Sequence, residues 1–225
     1  MQQQQQTYNL TEGKVSKLIL KFFFPIFFTN MLQQIYNVAD TVIVGKGLGD
    51  NALAAVGNMS SLTYFVIGFS NGLGVAFTSQ NYGAGKYKRI REGLKVSLII
   101  VTIAYVVLGA AMVLIPRTLA GFMLSGEKPI SLVAEFMPIC GYTLIFINFL
   151  FVYRSGCQAM GHPFVPMLSG VLEMVIRVLV IIFFVSEIGF VATAWSNTVA
   201  WFGALVLNFV AFEVNLRKKM RENVG

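Results

Sequence analysis

The amino-acid sequence predicts an all-α integral membrane protein, and three observations carry that expectation. Charged residues make up 12% of the 225 residues, about half the share expected of a soluble domain. Hydrophobic residues make up 56%, and 20 of them are Phe. The apolar residues are gathered into six runs, each long enough to cross a hydrocarbon core of about 30 Å, which takes roughly 20 helical residues.

Residues 1–13, Met1 and a glutamine run from Gln2 to Gln6 included, read as a disordered cytoplasmic tail without a cleavable signal peptide. A six-helix transmembrane region over residues 14–219 follows. Its first span, about 16–45, contains an apolar run, roughly Leu18 to Val44, whose only charges are Lys21 near the start and Asp40 near the end. At helical spacing Thr29, Gln33, Tyr36 and Asp40 fall on one stripe, and Asn30, Gln34, Asn37 and Thr41 on the stripe beside it. Lipid satisfies neither amides nor a carboxylate, so this face is expected to line a cavity or another helix. A carboxylate inside a membrane costs roughly 2.5–3.5 kcal/mol on insertion scales, which makes Asp40 a functional candidate; the plainer alternative is a hydrogen bond to a neighbouring helix. Pro25 removes a backbone hydrogen bond one turn before the stripe and is a candidate hinge.

Gly45 to Asn51 is expected to turn the chain, with Asp50 capping the second span, about 51–80, where Gly68 and Gly72 permit close helix contact. Tyr82 to Lys86 then breaks the chain before a basic start, Tyr87 to Lys95, to the third span, about 94–116. Gly85-Lys86 lacks the spacing of a phosphate-binding loop. Pro116-Arg117 and Ser125 to Pro129 mark the next connection. The fourth span, about 130–157, contains Pro138 and ends with Tyr153-Arg154. His162-Pro163 opens the fifth, about 163–186, and a lone histidine beside proline is expected to be solvent-exposed and without a role. Gly189 precedes the sixth, about 190–215, which carries Trp195, Ser196, Asn197, Trp201 and Asn208; residues 220–225 form a second cytoplasmic tail. Candidate cavity-lining residues are Thr29, Gln33, Gln34 and Asn197.

A second charged site lies mid-way along the fifth span. Glu173 and Arg177 stand at i, i+4 and can pair directly. Either the pair only holds helices together, or Arg177 also biases the protonation of Asp40 or Glu173.

The net charge of +7 does not point to nucleic acid, because the basic residues cluster between spans. Lys14, Lys17 and Lys21 precede the first; Lys86, Lys88, Arg89, Arg91 and Lys95 lie between the second and third; Arg217, Lys218, Lys219 and Arg221 follow the last. With Arg154 these mark the cytoplasmic side, Lys46, Arg117 and Lys128 fall outside, and both termini are cytoplasmic in a multi-pass protein of the cell membrane. Cys140 and Cys157 are too far apart along one helix to bridge. No H-E-x-x-H motif or metal-ligand cluster is present, so neither an enzyme nor a metal or organic cofactor is expected.

Several runs together resemble a MATE (multidrug and toxic compound extrusion) transporter of the DinF-like branch, over about residues 12 to 219. They are Leu20 to Pro25, Gln33 to Gly45 with Tyr36 and Asp40 inside it, Ala52 to Gly57, Gln80 to Gly85 with the basic Lys86 to Arg91, and Arg154 to Gly161. Members of that family have twelve helices in two six-helix lobes related by a pseudo-twofold axis along the membrane normal, and exchange cations for drugs or other organic molecules. The resemblance implies one such lobe here, its beginning similar to the family's N-terminal lobe up to about residues 65–75 and its remainder, from Thr78, similar to the C-terminal lobe. It implies that Asp40 and Tyr36 help form a cation site and that Pro25 is linked to bending of the first helix. Where the family's fifth helix supplies an Asn and an Asp, this chain has Glu173 and Arg177, and a guanidinium there favours proton over sodium coupling. Candidate coupling residues are Asp40, Tyr36, Asn37, Glu173 and Arg177. The implied function is a cation-coupled antiporter, with proton ahead of sodium, that exports amphipathic organic cations or drugs as a homodimer of half-size lobes or beside a full-length relative. The alternative is a non-transporting or truncated lobe that acts as a structural or modulatory membrane subunit.

Overall fold

The computed structural model describes residues 14–48, 68, 75–188 and 191–222, and among them the chain is helix and turn. Seven helical segments follow one another: α1 Val15–Leu48, α2 at 75–83, α3 Tyr87–Leu114, α4 Pro116–Met123, α5 Glu127–Ala159, α6 Phe164–Ile188 and α7 Val191–Glu222. Among the described residues, four helices are long and apolar enough to cross a membrane, over Tyr87–Leu114, Glu127–Ala159, Phe164–Phe184 and Ala194–Glu222.

Local chemistry accounts for most of the boundaries. α1 runs unbroken through Pro25 and stays helical to Leu48, past the turn expected at Gly45. The Asp50 cap, Gly72 and the start of the second span lie outside the described residues. The basic stretch from Tyr87 is the opening of α3, with no proline to separate it from the apolar remainder. The connection expected near Pro116 contains the short helix α4, because proline is tolerated in a first turn, where its missing N–H has no partner to lose. Between α5 and α6 the chain reverses at Gly161, whose φ of 81° is the left-handed conformation a side chain disfavours. α7 passes residue 215 and ends at Glu222, its last turns carrying pairs Glu213–Arg217 at 3.1 Å and Lys219–Glu222 at 2.9 Å.

Packing makes α5 the central element. It lies against α3, α4 and α7, while α6 packs on α7 and α1 packs on α6. α5 and α7 run parallel: Thr198 Oγ1 donates to Thr143 Oγ1 at 3.1 Å, the Phe146 and Phe202 rings sit 5.5 Å apart, and Tyr153 meets Phe209 at 5.2 Å. Several interior side-chain donors are satisfied within their own helices. Thr143 Oγ1 and Asn208 Nδ2 each donate to a carbonyl one turn back, of Ile139 and Ala204, at 2.9 and 2.8 Å. The exterior is apolar: Phe23, Phe24, Phe27 and Phe28 are exposed along α1, as are Ile182, Phe183 and Phe184 on α6. An apolar outside around a polar-bearing inside suits a hydrocarbon solvent.

Small residues bring α5 close to its neighbours. A Cβ on Gly141 would stand 3.0 Å from Met112 Cβ and 3.1 Å from the Gly109 carbonyl oxygen, so α3 and α5 cross at these glycines. At the other end a Cβ on Gly156 would stand 2.6 Å from the ring of Phe212, which is fully buried and has nowhere to swing. Gly156→Ala is therefore expected to destabilise the detergent-solubilised protein by about 1–3 kcal/mol, as overpacking does, and Phe212→Leu in the same chain to recover part of that loss. Thermal unfolding of the three variants checks it; a Gly156→Ala protein that melts with wild type would refute the close approach.

Candidate functional site

α6 presents Ser169, Glu173 and Arg177 four residues apart, hence on one face, and turns that face inward. Glu173 is the centre of the cluster. Arg154, from the last turns of α5, donates through Nη2 to Glu173 Oε1 and, at 2.8 Å, to Ser169 Oγ. Arg177 Nη2 donates to the other carboxylate oxygen at 3.4 Å. Arg154, Glu173 and Arg177 are 3%, 6% and 7% exposed. Aromatic faces cover the cations: the Arg154 guanidinium carbon lies 5.0 Å from the Phe151 ring centroid, and that of Arg177 lies 5.8 Å from that of Trp201.

The direct Glu173–Arg177 pair expected from the i, i+4 spacing is present. Arg154, expected to mark the cytoplasmic surface, is instead a buried partner of Glu173. It lies five residues before the end of α5 at Ala159, about 8 Å of helix rise, within reach of the surface for a long side chain. It reaches inward because a buried carboxylate there offers a charged acceptor that lipid does not. The signal was its place at the end of an apolar run, opposite the one acid of α6 that lies mid-helix.

Both oxygens of Glu173 accept from guanidinium groups, and two adjacent positive charges repel a metal cation at that place. No group of three His, Cys, Asp or Glu that could hold a metal occurs among the described residues. Of the other candidate residues, Pro25 is buried and Gln34 exposed on α1, and Asn197 is half-buried on α7. The side chains of Thr29, Gln33, Tyr36, Asn37 and Asp40 lie outside the described residues; the α1 backbone that bears them belongs to the helix packed on α6. α1 and the Glu173 cluster thus meet on one helix.

The basic clusters gather at one end of the bundle. Arg91, in the second turn of α3, pairs with Glu213 of α7 at 3.2 Å, and Glu213 also takes Arg217. His162, in the α5–α6 turn, is half-buried and not solvent-exposed as expected. Burial, and then the positive fields of Lys219 and Lys218, push its pKa below the ordinary 6.5.

The MatE family model matches residues 25–207. The "Probable multidrug resistance protein YoeA" of Bacillus subtilis (strain 168) is 22% identical over 222 residues, 95% of this chain and 47% of the relative. The "Probable multidrug resistance protein YpnP" of the same organism is 26% identical over 84% of this chain and 44% of its own length. The chain therefore spans about half the length of the relatives it matches. Among solved structures, the outward-facing conformation of a multidrug resistance MATE family transporter of the MOP superfamily superposes with a TM-score of 0.79 at 23% identity, over 92% of this chain and 47% of that one.

The charges set two expected outcomes. Arg154→Gln strips Glu173 of its inter-helix partner and is expected to lower stability by about 3–5 kcal/mol, with the Arg154→Gln/Glu173→Gln double variant recovering part of it; a double-mutant cycle of melting data with zero coupling would break the assignment. For His162 the folded form gives up its proton more readily than the unfolded one. Its contribution is therefore fully present above pH 6.5 and is lost as pH falls from there through the depressed value. Melting measured between pH 8 and about 5 should fall less steeply for His162→Gln than for wild type.

Proposed function

This chain belongs to the MatE family, and from that premise we propose that it is one six-helix lobe of an efflux transporter that exports amphipathic organic cations or drugs in exchange for protons. The observation that carries the coupling choice is Glu173 held between two guanidinium groups. A sodium site wants several oxygens and no adjacent cation, so α6 is ill suited to one, whereas a proton needs only a single carboxylate. Asp40, in the helix packed on α6, is that carboxylate in our reading, with Tyr36 and Asn37 beside it on the same helix. It binds proton or organic cation but not both; protonation removes its charge and lets α1 shift about Pro25, expelling the cation. Thr29, Gln33, Gln34 and Asn197 line the cavity.

The pathway in this reading is completed by a second copy of the lobe. Six spans place both termini on the cytoplasmic side, and two copies related by an axis normal to the membrane take the orientation of two lobes. The half-length match also favours a second reading, a non-transporting lobe that binds and modulates a full-length relative. Mass measured in mild detergent separates the two, since a monomer encloses no two-lobed pathway.

Adding ethidium to proteoliposomes of wild type is expected to release protons, and Asp40→Asn to abolish that release while keeping the wild-type melting temperature. Absence of release from a folded, dimeric wild type would sink proton-coupled cation export.

A further inference from the structure

The end of the bundle that carries the basic clusters is built as more than a marker of sidedness. Nine bases lie in residues 86–95 and 217–221, namely Lys86, Lys88, Arg89, Arg91 and Lys95 with Arg217, Lys218, Lys219 and Arg221, and three acids, Glu92, Glu213 and Glu222, lie among or beside them. Two of the acids are already engaged: Glu213 by Arg91 and Arg217, and Glu222 by Lys219. Lys88, Arg89, Lys218 and Arg221 are exposed, and none has an acidic partner within salt-bridge distance among the described residues. The Arg91–Glu213 contact joins the two clusters, and the positive field of Lys219 and Lys218 extends as far as His162 in the neighbouring turn.

The apolar surface below each basic cluster identifies the occupant. On α3, Arg89 and the exposed Glu92 head a stripe at helical spacing that continues through Val96, Ile99, Ile103 and Val106, with exposures of 54%, 60%, 61% and 57%. On α7, Arg221 and Arg217 head a stripe that continues through Val214, Val210 and Val206, exposed 58%, 50% and 46%. Each stripe is a net-basic head on an exposed apolar track, since Lys88 and Arg89 outnumber Glu92 on α3. A free phosphate has no use for the track, and a nucleic acid or acidic peptide has none either. A phospholipid matches both parts: a charged phosphate at the interface and acyl chains running down the helix.

We infer that the basic end of α3 and α7 is a seat for anionic phospholipid, which holds the headgroup on Lys88, Arg89, Lys218 and Arg221 with its chains along the two exposed stripes. The bound lipid shields like charges that α3 and α7 otherwise gather at one end of the bundle, so anionic lipid stabilises the folded protein. The seat is separate from the Glu173 cluster and does not depend on the export reading.

The test uses the purified full chain in mild detergent with added phosphatidylglycerol, phosphatidylcholine or soluble glycerol phosphate, followed by native mass spectrometry and thermal unfolding. Wild type is expected to retain phosphatidylglycerol and to melt higher with it than with the other two, and the preference to shrink at about 1 M salt, where the screening length is near 3 Å. The Lys88→Gln/Arg89→Gln/Lys218→Gln/Arg221→Gln variant is expected to lose on the order of several hundredfold in lipid retention, from about fivefold for each of four basic residues near a membrane surface. All four side chains are exposed, and a Lys88→Arg/Arg89→Lys/Lys218→Arg/Arg221→Lys variant should keep the preference, separating charge from damage to the fold. Equal retention of the two lipids by wild type, an unchanged preference in the glutamine variant, or equal stabilisation by glycerol phosphate would overturn the seat.

Discussion

A carboxylate among apolar helices has to be answered by donors or it does not stay charged and buried, and Glu173 is answered twice. Arg177 comes from its own helix and Arg154 from α5, so the requirement of one side chain ties α6 to the centre of the bundle. Ser169 and the rings of Phe151 and Trp201 lie against the two guanidinium groups, which brings α7 into the same assembly. α1 rests on α6, so the helix that carries Asp40 is held by contacts with an element that is itself pinned.

The rest of the interior answers to the same absence of water. The Thr143 and Asn208 side chains turn back to carbonyls of their own helices. The hydroxyl pair that crosses between helices, Thr198 to Thr143, joins two parallel helices that also interleave aromatic rings. Lipid offers no hydrophobic drive for helix against helix, so close approach has to come from shape. Gly109 with Gly141, and Gly156 under the Phe212 ring, supply that shape in the two halves of α5.

Charge divides the two ends of the bundle. At one, Arg91, Glu213 and Arg217 form a chain of ion pairs amid exposed bases; at the other, Arg117 and Glu127 make an exposed pair at 3.5 Å. The same asymmetry that orients a membrane protein during insertion leaves a surface whose charges need a counterpart afterwards.

By itself the sequence determined the helical class and the Glu173–Arg177 pair, because each rests on spacing along one chain: run length against bilayer thickness, and i, i+4 on one helix. It also carried the family, through motifs from Leu20 to Gly161 that are local strings. The helix α4 inside the expected connection and the passage of α1 beyond Gly45 were less legible, since prolines and glycines permit a break without requiring one. Arg154 is the clearest case of what only tertiary structure decided. Its position near the end of α5 fits a surface marker as well as a buried ligand, and nothing within its own helix chooses between them. The choice was made by α6, packed close enough to set Glu173 against it, because a buried charge takes the partner that the fold brings to it and not the one nearest in sequence.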